Sequence, residues 1–180
     1  MELSGQETFS PKTHYITYFL FQVANALGYL HSKDIIHGRI CSRNIFLEPK
    51  VQLSLLDYAV GHSNIQYSSP QLLSQECCRP SKSDDIFAFG TLIFELFGGQ
   101  WTGQMLNKHH FLATGAMAKQ LEKFPCTEKL KRIIQSCWNY EPQGRTPIHQ
   151  LIHHFQPGSC LVRRHSISEP RLDQIGNSKI

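Results

Sequence analysis

The chain has 180 residues, 41% hydrophobic and 11% aromatic, with a formal net charge of +4. That is apolar material enough for one domain with its own core, and the dispersed basic residues include no basic-aromatic stripe that would read as a nucleic-acid surface. The six cysteines form neither a CxxC pair nor a regular framework, no secretory apolar segment opens the chain, and the longest apolar run, 86–97, is too short and interrupted to span a bilayer. Reduced thiols and a cytoplasmic location are the expectation.

In chain order, residues 1–11 are polar, which predicts a flexible terminus, and Pro11 is expected to mark the start of order. Over 13–31 the apolar residues Ile16, Phe19, Leu20, Val23, Leu27 and Leu30 fall at three-and-four spacing, which predicts a helix with one buried stripe. Residues 37–44 read as a loop. Two short strand-like runs, 45–47 and 51–56, follow around a Pro49-Lys50 turn. The segment 84–97 is apolar on nearly every face, so it predicts a helix at the domain centre, ended by Gly98-Gly99. An amphipathic helix over 127–138 and a last one opened by Pro147 complete the order, and Pro157-Gly158 closes the domain.

Within that order, Ile36-His37-Gly38-Arg39-Ile40-Cys41-Ser42-Arg43-Asn44 and then Leu56-Asp57-Tyr58-Ala59 carry the chemistry. The pair resembles the catalytic loop and metal-binding turn of a protein kinase, His-Arg-Asp-x-x-x-x-Asn followed by Asp-Phe-Gly, with His37, Asn44 and Asp57 in place and Arg39 at the catalytic Asp position. Tyr29-Leu30-His31-Ser32-Lys33-Asp34-Ile35-Ile36-His37, Asn44-Ile45-Phe46-Leu47 and Asp85-Ile86-Phe87-Ala88-Phe89-Gly90 resemble the Raf and kinase suppressor of Ras family. Trp101 and Ser136-Cys137-Trp138 lean toward the suppressor branch. The resemblance covers residues 13–156 and implies a mainly α fold: the large lobe of a kinase, a helical bundle with a short β-hairpin. The Gly-rich loop and Val-Ala-Ile-Lys strand of a small lobe do not precede it. The implied organisation is a flexible terminus over 1–11, the lobe over 12–156 and a polar regulatory tail over 157–180.

What the resemblance implies for each residue can be weighed against its chemistry. A guanidinium has no acceptor and stays charged, so Arg39 cannot orient a substrate hydroxyl, and losing a positioned base forfeits on the order of 10²–10⁴ in rate. Arg39 then either grips a phosphate or neighbouring carboxylate or faces solvent in a decayed loop. Asp57 and Asn44 stand at the metal and nucleotide positions and are sound hard-oxygen ligands; equally, Asp57 can cap a turn and Asn44 can bond the loop backbone. Ser68-Ser69-Pro70-Gln71 resembles the Ala-Pro-Glu anchor whose Glu pairs with a buried Arg, here Arg145. Gln71 offers only a neutral amide, so the expectation is an Arg145 charge left uncompensated and a Gln71→Glu variant more stable than the parent. Asp85 is expected to accept hydrogen bonds from the loop backbone around His37, while Asp84 faces solvent or caps the helix start.

His149, His153 and His154 lie at helical spacing without a third ligand, and read as a polar helix face. In the tail, Ser168 with Pro170 at +2 and Arg164 at −4 resembles the phosphoserine site that 14-3-3 proteins bind, and Ser166 reads as a site for basic-directed kinases. The resemblance further implies docking of the MAP kinase kinase MEK near residues 101–117, with Trp101, Phe111 and Leu112 as anchors, and a Raf-type kinase as a second partner. The expected function is that of a pseudokinase scaffold or regulator in Ras–Raf–MEK–ERK signalling. It needs no cofactor, and magnesium–ATP enters only if a small lobe is supplied. An active Raf-like serine/threonine kinase, or a truncated isoform without independent activity, are the alternatives.

Overall fold

The computed structural model describes residues 11–46, 51–54, 65–74, 79–100 and 121–158. Helix α1 runs Pro11–Ser32 and starts two residues before the expected stripe, because Pro is accommodated in a first helical turn. Its apolar spacing places Leu20, Val23, Ala24 and Leu27 wholly out of solvent. Strands β1 (Ile45–Phe46) and β2 (Gln52–Leu53) pair antiparallel, Ile45 opposite Leu53 and Phe46 opposite Gln52, inside the two runs expected as a hairpin. Residues 47–50, with the expected turn, lie outside the described residues.

Helix α2 (Pro70–Leu73) is a single turn capped by Ser69, whose Oγ accepts from the Leu72 amide. Helix α3 (Lys82–Leu96) is the axis of the molecule: every residue from Asp84 through Phe94 is buried. Gly98 closes it in a left-handed conformation, φ +92°, with the Gly99 amide donating to the Phe94 carbonyl. Helix α4 (Glu128–Cys137) begins at Thr127, whose Oγ1 accepts from the Leu130 amide, and turns Leu130, Ile133, Ile134 and Cys137 inward onto α3. The approach is close at Gly90, where a Cβ would stand 2.6 Å from the Cys137 Cβ. Trp138 ends α4 against Phe94, ring centroids 5.2 Å apart, and its indole N–H donates to Thr91 Oγ1 at 3.0 Å. Helix α5 (Ile148–Phe155) lies along α1, with Ile148 and Ile152 over Gly28.

The described residues are thus mostly helical with one two-stranded sheet, the bundle and hairpin expected of a kinase large lobe. None of their helices is long and apolar enough to cross a membrane. The 3₁₀ turns Ser42–Asn44, Ile65–Tyr67 and Pro142–Gly144 among the described residues, and the single-turn α2, carry no hydrophobic periodicity and were not expected from the spacing.

Candidate functional site

Asp85, in the capped first turn of α3, is carried into the core and left 1% exposed. A buried carboxylate requires donors, and three converge on it. The His37 amide donates to Oδ2 at 2.9 Å, the Gly38 amide to Oδ1 at 2.7 Å, and His31 Nε2 stands 2.9 Å from Oδ2. Gly38 reaches this position with φ +72°, a conformation that costs an L side chain about 1–2 kcal/mol. The loop then doubles back: the Arg39 amide donates to His37 Nδ1 at 3.2 Å, so the neutral ring carries its proton on Nε2. Burial holds His37 below the ordinary imidazole value; the Asp85 charge and the Ser54 backbone oppose that, and the Arg39 and His31 charges add to it.

The 3₁₀ turn brings Asn44 under the same loop. Its Nδ2 donates to the Arg39 carbonyl at 2.9 Å, and its own carbonyl accepts the Ser54 amide at 2.8 Å, tying the loop to the strand edge. Asn44 is fully buried, and its Oδ1 has no hydrogen-bond partner among the described residues. An orphaned buried amide oxygen suits a hard divalent cation such as magnesium. In that respect the residues present fit the metal that the kinase pattern implies. Asp57, its expected companion, lies outside the described residues. The Arg39 side chain, at the position of the pattern's base, is exposed.

A second buried cluster gathers around Arg145 and the neighbouring acid, Asp84. Arg145 Nη2 donates to Gln71 Oε1 at 2.6 Å, and Gln71 Nε2 donates to the Tyr140 carbonyl at 2.7 Å. Arg145 Nη1 donates to the Ser83 carbonyl at 3.0 Å and lies 3.4 Å from Asp84 Oδ1. The expectation of an uncompensated Arg145 is therefore corrected, since Asp84 supplies the anion. The solvent-facing alternative for Asp84 is corrected with it. Asp84 does cap α3, taking the Ser81 amide and hydroxyl on Oδ2 at 2.7 Å each, yet it is 7% exposed and also accepts from Ser69 Oγ. The physical reason is that one carboxylate has two oxygens: Oδ2 closes the helix start while Oδ1 faces inward. Burial lowers the Arg145 pKa and the Asp84 charge raises it. Toward the other end of α3, the Tyr67 hydroxyl donates to Glu95 and meets Ser42 Oγ at 3.3 Å, and burial pushes this phenol above its usual range.

The structure thus brings together His37, Arg39, Asn44 and Asp85, and separately Gln71 with Arg145. Trp101, Phe111, Leu112, Arg164, Ser166, Ser168 and Pro170 lie outside the described residues. Sequence reading missed His31, Tyr67 and Ser69, whose roles depend on partners 15–54 positions away. Asp84 had a legible signal, the Ser81-x-x-Asp84 capping spacing, but only for its outer oxygen.

A helical bundle whose central helix suspends a His-x-x-x-x-x-x-Asn loop by one buried acid defines the class, a kinase large lobe. The family model for protein tyrosine and serine/threonine kinases matches residues 5–155, and the chain belongs to that family. It is 29% identical over 153 residues to kinase suppressor of Ras A of Caenorhabditis elegans, covering 69% of this chain and 20% of the worm protein. Against the serine/threonine-protein kinase A-Raf of Sus scrofa it is 25% identical over 176 residues, 84% of this chain and 29% of that protein. Fibroblast growth factor receptor homolog 1 of Drosophila melanogaster is 25% identical over 175 residues, 84% of this chain and 24% of its own length. The chain therefore spans under a third of each of these relatives.

Proposed function

We propose that this chain is a pseudokinase-type large lobe that acts as a binding scaffold or regulator in Ras–Raf–MEK–ERK signalling. The observation that carries the reading is the pairing of a loop held in place by Asp85 with an exposed cation, Arg39, where a base would stand. The loop's shape is retained while its proton chemistry is gone. The similarity to a kinase suppressor of Ras and to A-Raf supports the choice of pathway. MEK docks near Trp101, Phe111 and Leu112. A Raf-type kinase is the second partner, and a 14-3-3 protein takes phosphorylated Ser168 or Ser166 through Arg164 and Pro170. The protein is cytoplasmic, binds no nucleic acid and requires no cofactor.

Calorimetric titration of the chain with purified MEK tests this. Micromolar binding weakened by Trp101→Ala or Phe111→Ala is expected, and absence of binding by a cooperatively folded chain would overturn it. The Asn44 Oδ1, without a hydrogen-bond partner among the described residues, favours a second reading, a Raf-like ATP-dependent serine/threonine kinase completed by a small lobe. There Asn44 and Asp57 would hold magnesium, which supplies charge neutralisation on the phosphates. Phosphotransfer by a longer product, abolished by Asp57→Ala, would select that reading over the scaffold.

A further inference from the structure

We infer that the outward face of α5 is a two-imidazole chelate for a borderline divalent cation of the zinc and nickel class. The helix buries Leu151 and Phe155 and packs Ile148 and Ile152 against the core, so the same turns leave His149 and His153 exposed. Four residues on an α-helix bring two side chains onto one face, one above the other, about 6 Å apart along the axis. Imidazole nitrogen is the donor these cations prefer, and two such donors one turn apart can close on a single ion.

The backbone beneath them is fixed before any metal arrives. The Gln150 and Leu151 amides both donate to the Pro147 carbonyl, and Phe155 stacks edge-on against Phe89. The entropic cost of ordering the chelate is correspondingly small. His154 is a poor third ligand: it is half-buried and stands one position past His153, about 100° further round the helix. Among the described residues no group of three or more His, Cys, Asp or Glu side chains is placed to hold a metal. The ion therefore keeps water in its remaining positions and exchanges with solution, unlike a closed structural zinc.

The test is a titration of the whole chain with zinc chloride and, separately, nickel chloride, followed by calorimetry and by the imidazole signals in ¹H–¹⁵N spectra. The expected result is one site that moves the His149 and His153 signals together. His149→Ala or His153→Ala alone would weaken it on the order of 10²-fold, the loss of one arm of a chelate, while His154→Ala would leave it unchanged. Undiminished binding by the His149→Ala/His153→Ala chain would place the metal on other groups and overturn the inference. So would imidazole signals that stay fixed up to millimolar metal.

Discussion

Asp84 Oδ1 lies 3.4 Å from Arg145 Nη1, with both side chains almost wholly withdrawn from solvent. The pair replaces an ion pair that the Ala-Pro-Glu pattern would build from position 71, where this chain has Gln71 bonded to both Arg145 and the Tyr140 carbonyl. The anion has moved from the segment end to the first turn of α3, and Ser69 Oγ joins it there.

That arrangement reverses the stability expected of a Glu at position 71. Gln71→Glu keeps the acceptor for Arg145 but turns the donor to Tyr140 into an oxygen facing an oxygen, and it adds a second carboxylate beside the one guanidinium. A loss of about 1 kcal/mol is expected. In an Asp84→Ser background the same change should stabilise, with a coupling on the order of 0.5–3 kcal/mol across the four proteins. Denaturant melts of the cycle measure it, and additive effects would show that the two acids do not share Arg145.

Asp85→Asn is expected to cost about 3 kcal/mol, because an amide nitrogen would confront at least one of the three donors that now converge there. Hydrogen exchange should report it locally. The His37 and Gly38 amides would lose protection well before those of α4. Unchanged protection would mean that the loop is held by other contacts.

Acid should weaken the fold through His37. Its folded value is held below the ordinary 6.5, so the unfolded chain takes up the proton first. Stability is complete above 6.5 and falls as the pH drops through and below it. Protonation would also remove the Nδ1 lone pair that accepts the Arg39 amide. Comparing urea midpoints of the parent and His37→Gln between neutral pH and the onset of carboxylate titration isolates this contribution. Parallel profiles would refute it.

Gly90→Ala should destabilise by about 1–3 kcal/mol, the cost of overpacking, since the new methyl would meet Cys137 Cβ at 2.6 Å and Trp138 Cδ1 at 3.1 Å. The added atoms push α4 away from α3 and stretch the Trp138–Thr91 hydrogen bond. Thermal melts followed by calorimetry would show it. A neutral result would mean that α4 can slide at little cost.

Hydrophobic spacing along the chain was enough to determine α1, α3, α4 and α5, because each helix must bury a stripe and the period of that stripe is written locally. Gly98 as a stop was legible for the same reason: its partners lie within a turn. The motif spacing likewise made His37, Asn44, Asp85 and Arg145 recognisable as a set. Tertiary structure alone decided which charges meet. His31 joins the loop backbone at Asp85, and Arg145 finds Asp84, because helix packing brings together groups 54 and 61 positions apart. A buried charge is stabilised only by what surrounds it in three dimensions, and no local pattern along the chain records that.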